Sequence, residues 1–406
     1  MAHFLFASDS FKGTLSSGQI ARILKEEALR VFPDASCSAL PIADGGEGTV
    51  DAVLSACGGE RVYATVEGPL GGSVRAAYGI LPDGRCVIEL AAASGITLVE
   101  PDALDPLRAS SIGFGELIHH ALEHGAREVY LALGGSATND GGMGAMRSLG
   151  IKFYDQQGSE LLGRGEDLER LIRIDASGLI PEAREARFTV MCDVTNPLIG
   201  HMGATMVFGP QKGGSTESLT LLERGMVGYS RLIEREYGMR VDTMPGAGAA
   251  GGMGAAAAAF LSARLVSGVE SLMDLAHFDD LLAEADCCFS GEGRADAQSL
   301  DGKVLSGVAR RCAAAGKPLY AIVGSVADGA DALLDLGVTA IVSCVETGAP
   351  IEEALAHAEE NYRRTAADVF AMLAGRAGGR RRRDDLWKFV LELVSAARHG
   401  VPHRGR

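Results

Sequence analysis

Glu128-Val-Tyr-Leu-Ala-Leu133 runs straight into Gly134-Gly-Ser-Ala-Thr-Asn-Asp-Gly-Gly-Met-Gly144. A short apolar run is halted by two glycines, and Ser136, Thr138, Asn139 and Asp140 follow before helical residues resume at Ala145. This order reads as strand, loop and helix start. Glycines let backbone N–H groups come close to a ligand, and a helix N-terminus adds unpaired donors and a partial positive charge. The stretch therefore reads as an anion-binding loop. Asn139 and Asp140 suit a cation lying beside the anion, which together would make a phosphate-and-Mg2+ site. The alternative is a glycine-rich turn ahead of a packed helix.

The same design recurs on either side. Phe4–Ala7 is a short strand that ends in Asp9-Ser-Phe-Lys12, and Ser16 or Ser17 then caps a helix from about Gln19 to Phe32. Ser38–Ala43 is a second strand, ending in Asp44-Gly-Gly-Glu-Gly48 before a helix over Thr49–Cys57. Strand-then-helix repeats of this kind build a parallel sheet, with ligand groups gathered at the carboxyl ends of the strands. Past Gly58-Gly59 the character changes. Val62–Val66, Val74–Ile80 and Cys86–Leu90 are joined by short turns and should run antiparallel. Phe188–Cys192 leads into Asp193-Val-Thr-Asn-Pro-Leu198, again a strand ending in an acid and an amide. From about Ala285 the parallel pattern returns: Asp286–Ser290 ends at Gly291-Glu-Gly-Arg294, and Leu319–Val323 at Gly324-Ser325. A helix over Gly329–Leu336 and a strand over Thr339–Cys344 follow. The expected fold is α/β with two domains. One is a discontinuous Rossmann- or flavodoxin-like parallel-sheet domain, residues 1–60 with 284–375. The other is an inserted mixed-sheet domain, 61–283, and the active site is expected in the cleft between them. Residues 376–406 form a basic extension with an amphipathic helix around Trp387.

Composition narrows the function. The 406 residues are 47% hydrophobic and 22% charged, with no apolar run of about 18 residues and no secretory signal, so a cytoplasmic protein without stable membrane association is expected. A formal charge of −15 argues against nucleic acid as a partner. The eight cysteines show no Cys-x-x-Cys spacing, so neither a zinc site nor a redox pair is indicated. No Gly-x4-Gly-Lys-Ser/Thr loop is present. Gly246-Ala-Gly-Ala-Ala-Gly251 matches a dinucleotide fingerprint by spacing, but Pro245 breaks its junction with a poor strand.

Seven motifs in order carry a resemblance: Asp9-Ser-Phe-Lys12, Ala43-Asp-Gly-Gly-Glu-Gly-Thr49, Gly134–Gly142, Cys192–Leu198, Phe208-Gly-Pro-Gln-Lys-Gly213, Pro245–Gly254, and Gly291–Arg294 with Asp296, Gln298 and Gly302-Lys303. As a set, spread over roughly residues 1–375, they resemble the bacterial glycerate kinase type-1 family. Ser8 stands where that family usually has proline, and Ala295 and Ala297 replace larger or hydroxylated residues. The resemblance implies two α/β domains and phosphorylation of D-glycerate by ATP and Mg2+, typically at the 2-hydroxyl. The 3-hydroxyl, or a silent glycerate or nucleotide sensor, is the alternative.

Within those motifs the roles are expectations. Asp193 is the candidate base, acting with Lys12 and Asp44 as the catalytic group. Arg294 would take the glycerate carboxylate through its planar fork, with Asp296, Asn196, Lys303 and Ser10 also on the substrate. Gly134, Gly135, Ser136, Asn139, Lys212 and Gly248 would hold the nucleotide. Asp140 and Asp44 would take Mg2+, while Asp44 and Asp296 also suit a substrate hydroxyl. A monomer or homodimer is expected.

Overall fold

The computed structural model describes residues 1–11, 13–42, 46, 48–300, 303–345 and 350–377. Lys12, Asp44 and the basic extension beyond residue 377 lie outside the described residues. By their contacts the residues divide into two compact units, Met1–Ala39 with Asp279 onward, and Leu40–Phe278.

The main sheet of the first unit has five strands among the described residues, His3–Phe6, Ser36–Ala39, Cys287–Ser290, Leu319–Val323 and Ala340–Ser343. All are paired in parallel. Numbered along the chain, their order across the sheet is 2-1-3-4-5, the flavodoxin-like arrangement, whose switch point falls between the first strand and Cys287–Ser290. The Ser36–Ala39 strand stops before Pro41, which has no N–H to give a ladder, so it is shorter than the 38–43 segment its apolar residues suggest. Helix Ser17–Val31 starts on a capping box, Ser16 bonding the Gln19 amide and Gln19 bonding back to Ser16. Its Ile20, Ile23 and Leu24 are buried with Phe4, Phe6, Phe289, Tyr362 and Phe370 in this unit's core. The Phe289 and Phe370 rings lie 4.8 Å apart, fixing helix Ala358–Ala377 on the sheet. Only one turn, Ala332–Asp335, forms where a helix over 329–336 is expected.

The second unit is built on a six-stranded mixed sheet. Strands Glu60–Glu67, Ser73–Ile80 and Cys86–Glu89 pair antiparallel, and Glu128–Ala132, Arg187–Met191 and Arg264–Val266 continue in parallel. Helix Thr49–Cys57 belongs to this unit. It packs on the Ser73–Ile80 and Cys86–Glu89 strands, and the Val50 amide bonds Glu89 Oε1 at 2.6 Å. The division by contacts thus falls earlier than residue 60. Helix Thr216–Tyr237 was not anticipated, although Ser215 caps its start and Gly238, at φ 70°, ends it. No helix of the described residues is long and apolar enough to cross a membrane.

Candidate functional site

In the second unit, the Gly134–Gly142 loop leaves the carboxyl end of strand Glu128–Ala132. Gly135 is exposed and Gly134 half-buried, and neither amide donates to a described backbone acceptor. Every residue from Ser136 to Asp140 is buried. Lys212, only 2% exposed, reaches the loop from below: its Nζ donates to Ser136 Oγ at 2.8 Å and to the Thr138 carbonyl at 2.6 Å. Burial pulls its pKa from 10.5 down to about 7, and the nearby Asp140 charge opposes that fall. Asn139 turns inward, its Nδ2 donating to Thr205 Oγ1 at 3.0 Å.

Asp140 is the anchor of the whole turn. Its Oδ2 accepts from the Ser111 amide (2.8 Å), the Ser111 hydroxyl (2.7 Å) and the Gly144 amide (3.2 Å), and its Oδ1 from the Gly142 amide (3.0 Å). Burial pushes its carboxyl upward while these four bonds pull it back. The reading of Asp140 as a magnesium ligand is therefore corrected, because a fully buried carboxylate with both oxygens occupied has no face to offer an ion. The same bonds, with Ala145 donating to Ser111 Oγ at 2.9 Å, consume the first-turn donors of the six-residue helix Met143–Ser148. This helix start is closed to an anion. Asn139 and Lys212 likewise shape the loop from beneath and do not line its surface.

Gly248 is corrected too. Gly248 is buried and donates to the Asn196 carbonyl at 3.1 Å, and a Cβ there would overlap the Pro197 carbonyl oxygen. Close backbone packing, rather than a phosphate, accounts for this glycine. Asp193 Oδ1 accepts from the Ser267 hydroxyl at 2.7 Å and the Gly268 amide at 2.9 Å, tying down the start of helix Gly268–Leu275. That anchors Oδ1 of Asp193, while its Oδ2 is buried with no hydrogen-bond partner among the described residues, so this geometry does not decide its expected role as the base. Asn196 donates through Nδ2 to the Met202 carbonyl at 2.8 Å, which orders its own loop.

In the first unit, the carboxyl ends of neighbouring strands bring another set together. The Asp9 amide bonds the Gly291 carbonyl at 3.0 Å and the Gly324 amide bonds the Glu292 carbonyl at 3.1 Å, so the ends of three strands are stitched side by side. Ser10 sits there half-buried, its amide on Asp9 Oδ1 at 2.6 Å. Arg294 is 68% exposed, with Nε 3.5 Å from Asp296 Oδ2. Lys303 Nζ lies 3.7 Å from Glu292 Oε2. Ser10, Arg294, Asp296 and Lys303 thus share one edge of one sheet, as their positions after strand ends suggest. Among the described residues no group of three or more His, Cys, Asp or Glu is arranged to hold a metal ion.

The profile of the glycerate kinase family matches residues 4–374. The chain belongs to the glycerate kinase family. It is 42% identical to the Escherichia coli K12 protein named glycerate 2-kinase, over 91% of this chain and 97% of that one. With the Bacillus subtilis 168 glycerate kinase it shares 41% identity, again over 91% and 97%. A crystal structure of a Salmonella typhimurium LT2 protein assigned as glycerate kinase 2 superposes with a TM-score of 0.82 at 42% identity, covering 93% of this chain and all of that one. As a member of the glycerate kinase family the chain is a kinase, and its two sheets have the α/β architecture of that structural relative.

One residue of this edge has no role in the sequence reading. Glu292 is quoted in the Gly291–Arg294 motif without a role, yet it is the buried carboxylate of the first unit's edge, 5% exposed. Its signal was local: an apolar strand, Cys287–Ser290, ending in Gly-Glu-Gly.

Proposed function

We propose that this kinase transfers the γ-phosphoryl group of ATP to the 2-hydroxyl of D-glycerate, giving 2-phosphoglycerate and ADP. The observation that carries the reading is the grouping of Ser10, Arg294, Asp296 and Lys303 at the switch-point edge of a flavodoxin-like sheet, in a chain of the glycerate kinase family. Glycerate is a small anion with two hydroxyls. Arg294 supplies the planar pair of donors that suits its carboxylate, Lys303 a second positive charge, and Ser10 and Asp296 polar groups for the hydroxyls. The exposed corner Gly134–Gly135 offers amides to the nucleotide's phosphates, with Lys212 keeping that corner in shape. Phosphoryl transfer is mostly positioning and charge neutralisation, which this inventory suits.

Mg2+ in this reading arrives on the nucleotide, since such ions keep most of their ligands as phosphate and water. Of the two expected protein ligands, Asp140 does not fit and Asp44 lies outside the described residues. ADP release measured with Mg-ATP and D-glycerate tests the proposal, and phosphorus NMR of the product reads the position. Glycerate-dependent ADP with a signal coupled to the C2 proton is expected. ADP release indifferent to glycerate would overturn the substrate, and a signal coupled to the C3 protons would overturn the regiochemistry.

A further inference from the structure

Glu292 stands apart from the other described carboxylates of the first unit. It is 5% exposed, and its Oε1 is fully shielded with no hydrogen-bond partner among the described residues. Buried carboxylate oxygens are rarely left this way, because the missing bond costs on the order of 1–3 kcal/mol. Its main chain is held from both sides, Gly291 accepting from Asp9 and Glu292 from Gly324, so the carboxyl is fixed at the sheet's switch point. Gly291 is needed for this, since a Cβ there would overlap the Ile322 carbonyl oxygen. Burial is the main influence raising the Glu292 pKa, with the Asp296 charge adding to it, while Ser299 and Lys303 hold it back. Among the described residues the charged groups around it are Lys303 and Asp296, then Arg294 through its pairing with Asp296, and Asp9 beyond strand His3–Phe6.

We infer that the Glu292 carboxylate is the proton acceptor for the glycerate hydroxyl, with Lys303 steadying its Oε2. The inference rests on the proposal that glycerate is seated by Arg294 and Lys303. In the step, a lone pair of the hydroxyl oxygen forms the new bond to Pγ. The bond from Pγ to the β–γ bridging oxygen breaks, and its electron pair leaves on ADP. The hydroxyl proton passes to the Glu292 carboxylate and is released to solvent when the products leave. An unpartnered acceptor beside a cation is the arrangement such a step uses.

The test is Glu292→Gln in the full chain, which keeps the shape and removes the proton acceptor. The kcat for D-glycerate should fall at least ~100-fold, with KM for ATP changed less than about threefold. The acid limb of the wild-type kcat/KM profile, lying above the ordinary glutamate range, should vanish in the variant. Turnover within about threefold of wild type, or a loss with the acid limb intact, would overturn the role. Should Glu292→Gln fail to fold, Glu292→Asp decides. A kept but displaced limb with reduced kcat supports the role, and an unchanged profile and rate overturn it. The wild type is assayed first: no glycerate-dependent ADP there would sink the substrate reading itself, whereas an active wild type beside an active Glu292→Gln sinks the Glu292 assignment alone.

Discussion

At the scale of single residues, the second unit's loop closes over a buried lysine and a buried aspartate, and each has a measurable signature. Asp140→Asn would set a side-chain amide against the Ser111 and Gly144 amides, donor facing donor. We expect a loss of about 2–4 kcal/mol in urea unfolding, with no change in the Mg2+ concentration for half-maximal rate. A strong shift in that concentration would restore Asp140 as a ligand. Lys212 holds its proton less tightly folded, near 7, than unfolded, at the ordinary 10.5. A depressed folded value makes stability rise with pH through that window and fall as pH drops toward 7. The stability of wild type relative to Lys212→Met should therefore climb from about pH 7 to 10, by at most about 1.4 kcal/mol per unit. A flat difference across those pH values would show that the lysine is not buried as described. In the first unit, Arg294→Lys loses the planar fork, so KM for glycerate should rise about tenfold or more while KM for ATP moves little. Equal changes in both would remove Arg294 from the glycerate carboxylate. The residue types at all these positions were legible from motif and spacing. Their exposure was not, and exposure separates Arg294, open to a ligand, from Lys212, sealed under a loop.

At the scale of elements, several strands and helices follow from apolar periodicity and caps, while helix Thr216–Tyr237 and the single turn at Ala332–Asp335 do not. Thr49–Cys57 starts and stops as read, and helix Ser17–Val31 has the cap its serines announce. Ser16→Ala removes one half of that capping box and should cost about 1 kcal/mol by urea denaturation, without touching kinase activity. The glycine-rich segment 245–254 is the element the sequence explained least. Within helix Ala249–Leu261, Ala250, Gly251 and Gly252 take left-handed angles, and Gly141 donates to the Gly251 carbonyl at 2.9 Å. A Cβ on Gly251, at φ 66°, would overlap the Thr138 carbonyl oxygen. Gly251→Ala should thus destabilise by more than about 2 kcal/mol and weaken ATP binding through the displaced loop. A normal melting temperature in that variant would refute the close packing. The glycines that mimic a dinucleotide fingerprint serve here to let two backbone segments touch.

At the scale of the whole molecule, each unit has its own buried core, one around Phe289 and Phe370, the other around Tyr78, Phe114 and Met146. Two cores make a single two-state transition an unsafe description, and scanning calorimetry should give an enthalpy larger than its van't Hoff value. D-glycerate at 100 times its Kd should stabilise the first unit by about 2.7 kcal/mol, an effect absent in Arg294→Ala. Stabilisation that survives Arg294→Ala would place the acid elsewhere. The strand order of each sheet came from the structure, and the sequence by itself determined a parallel sheet, a mixed sheet with an antiparallel start, the loops at strand ends and the family. Those features are written in local periodicity, in caps and in motif order along the chain. Only the tertiary structure decided which polar groups remain available. Ser111 closes on both sides of the turn at Asp140, Ser267 bonds one oxygen of Asp193 and Thr205 the side-chain amide nitrogen of Asn139, and the strand ends around Glu292 leave its Oε1 without a partner among the described residues. Each of those fates depends on partners far away in the chain and on desolvation by many residues at once, which no short stretch of sequence encodes.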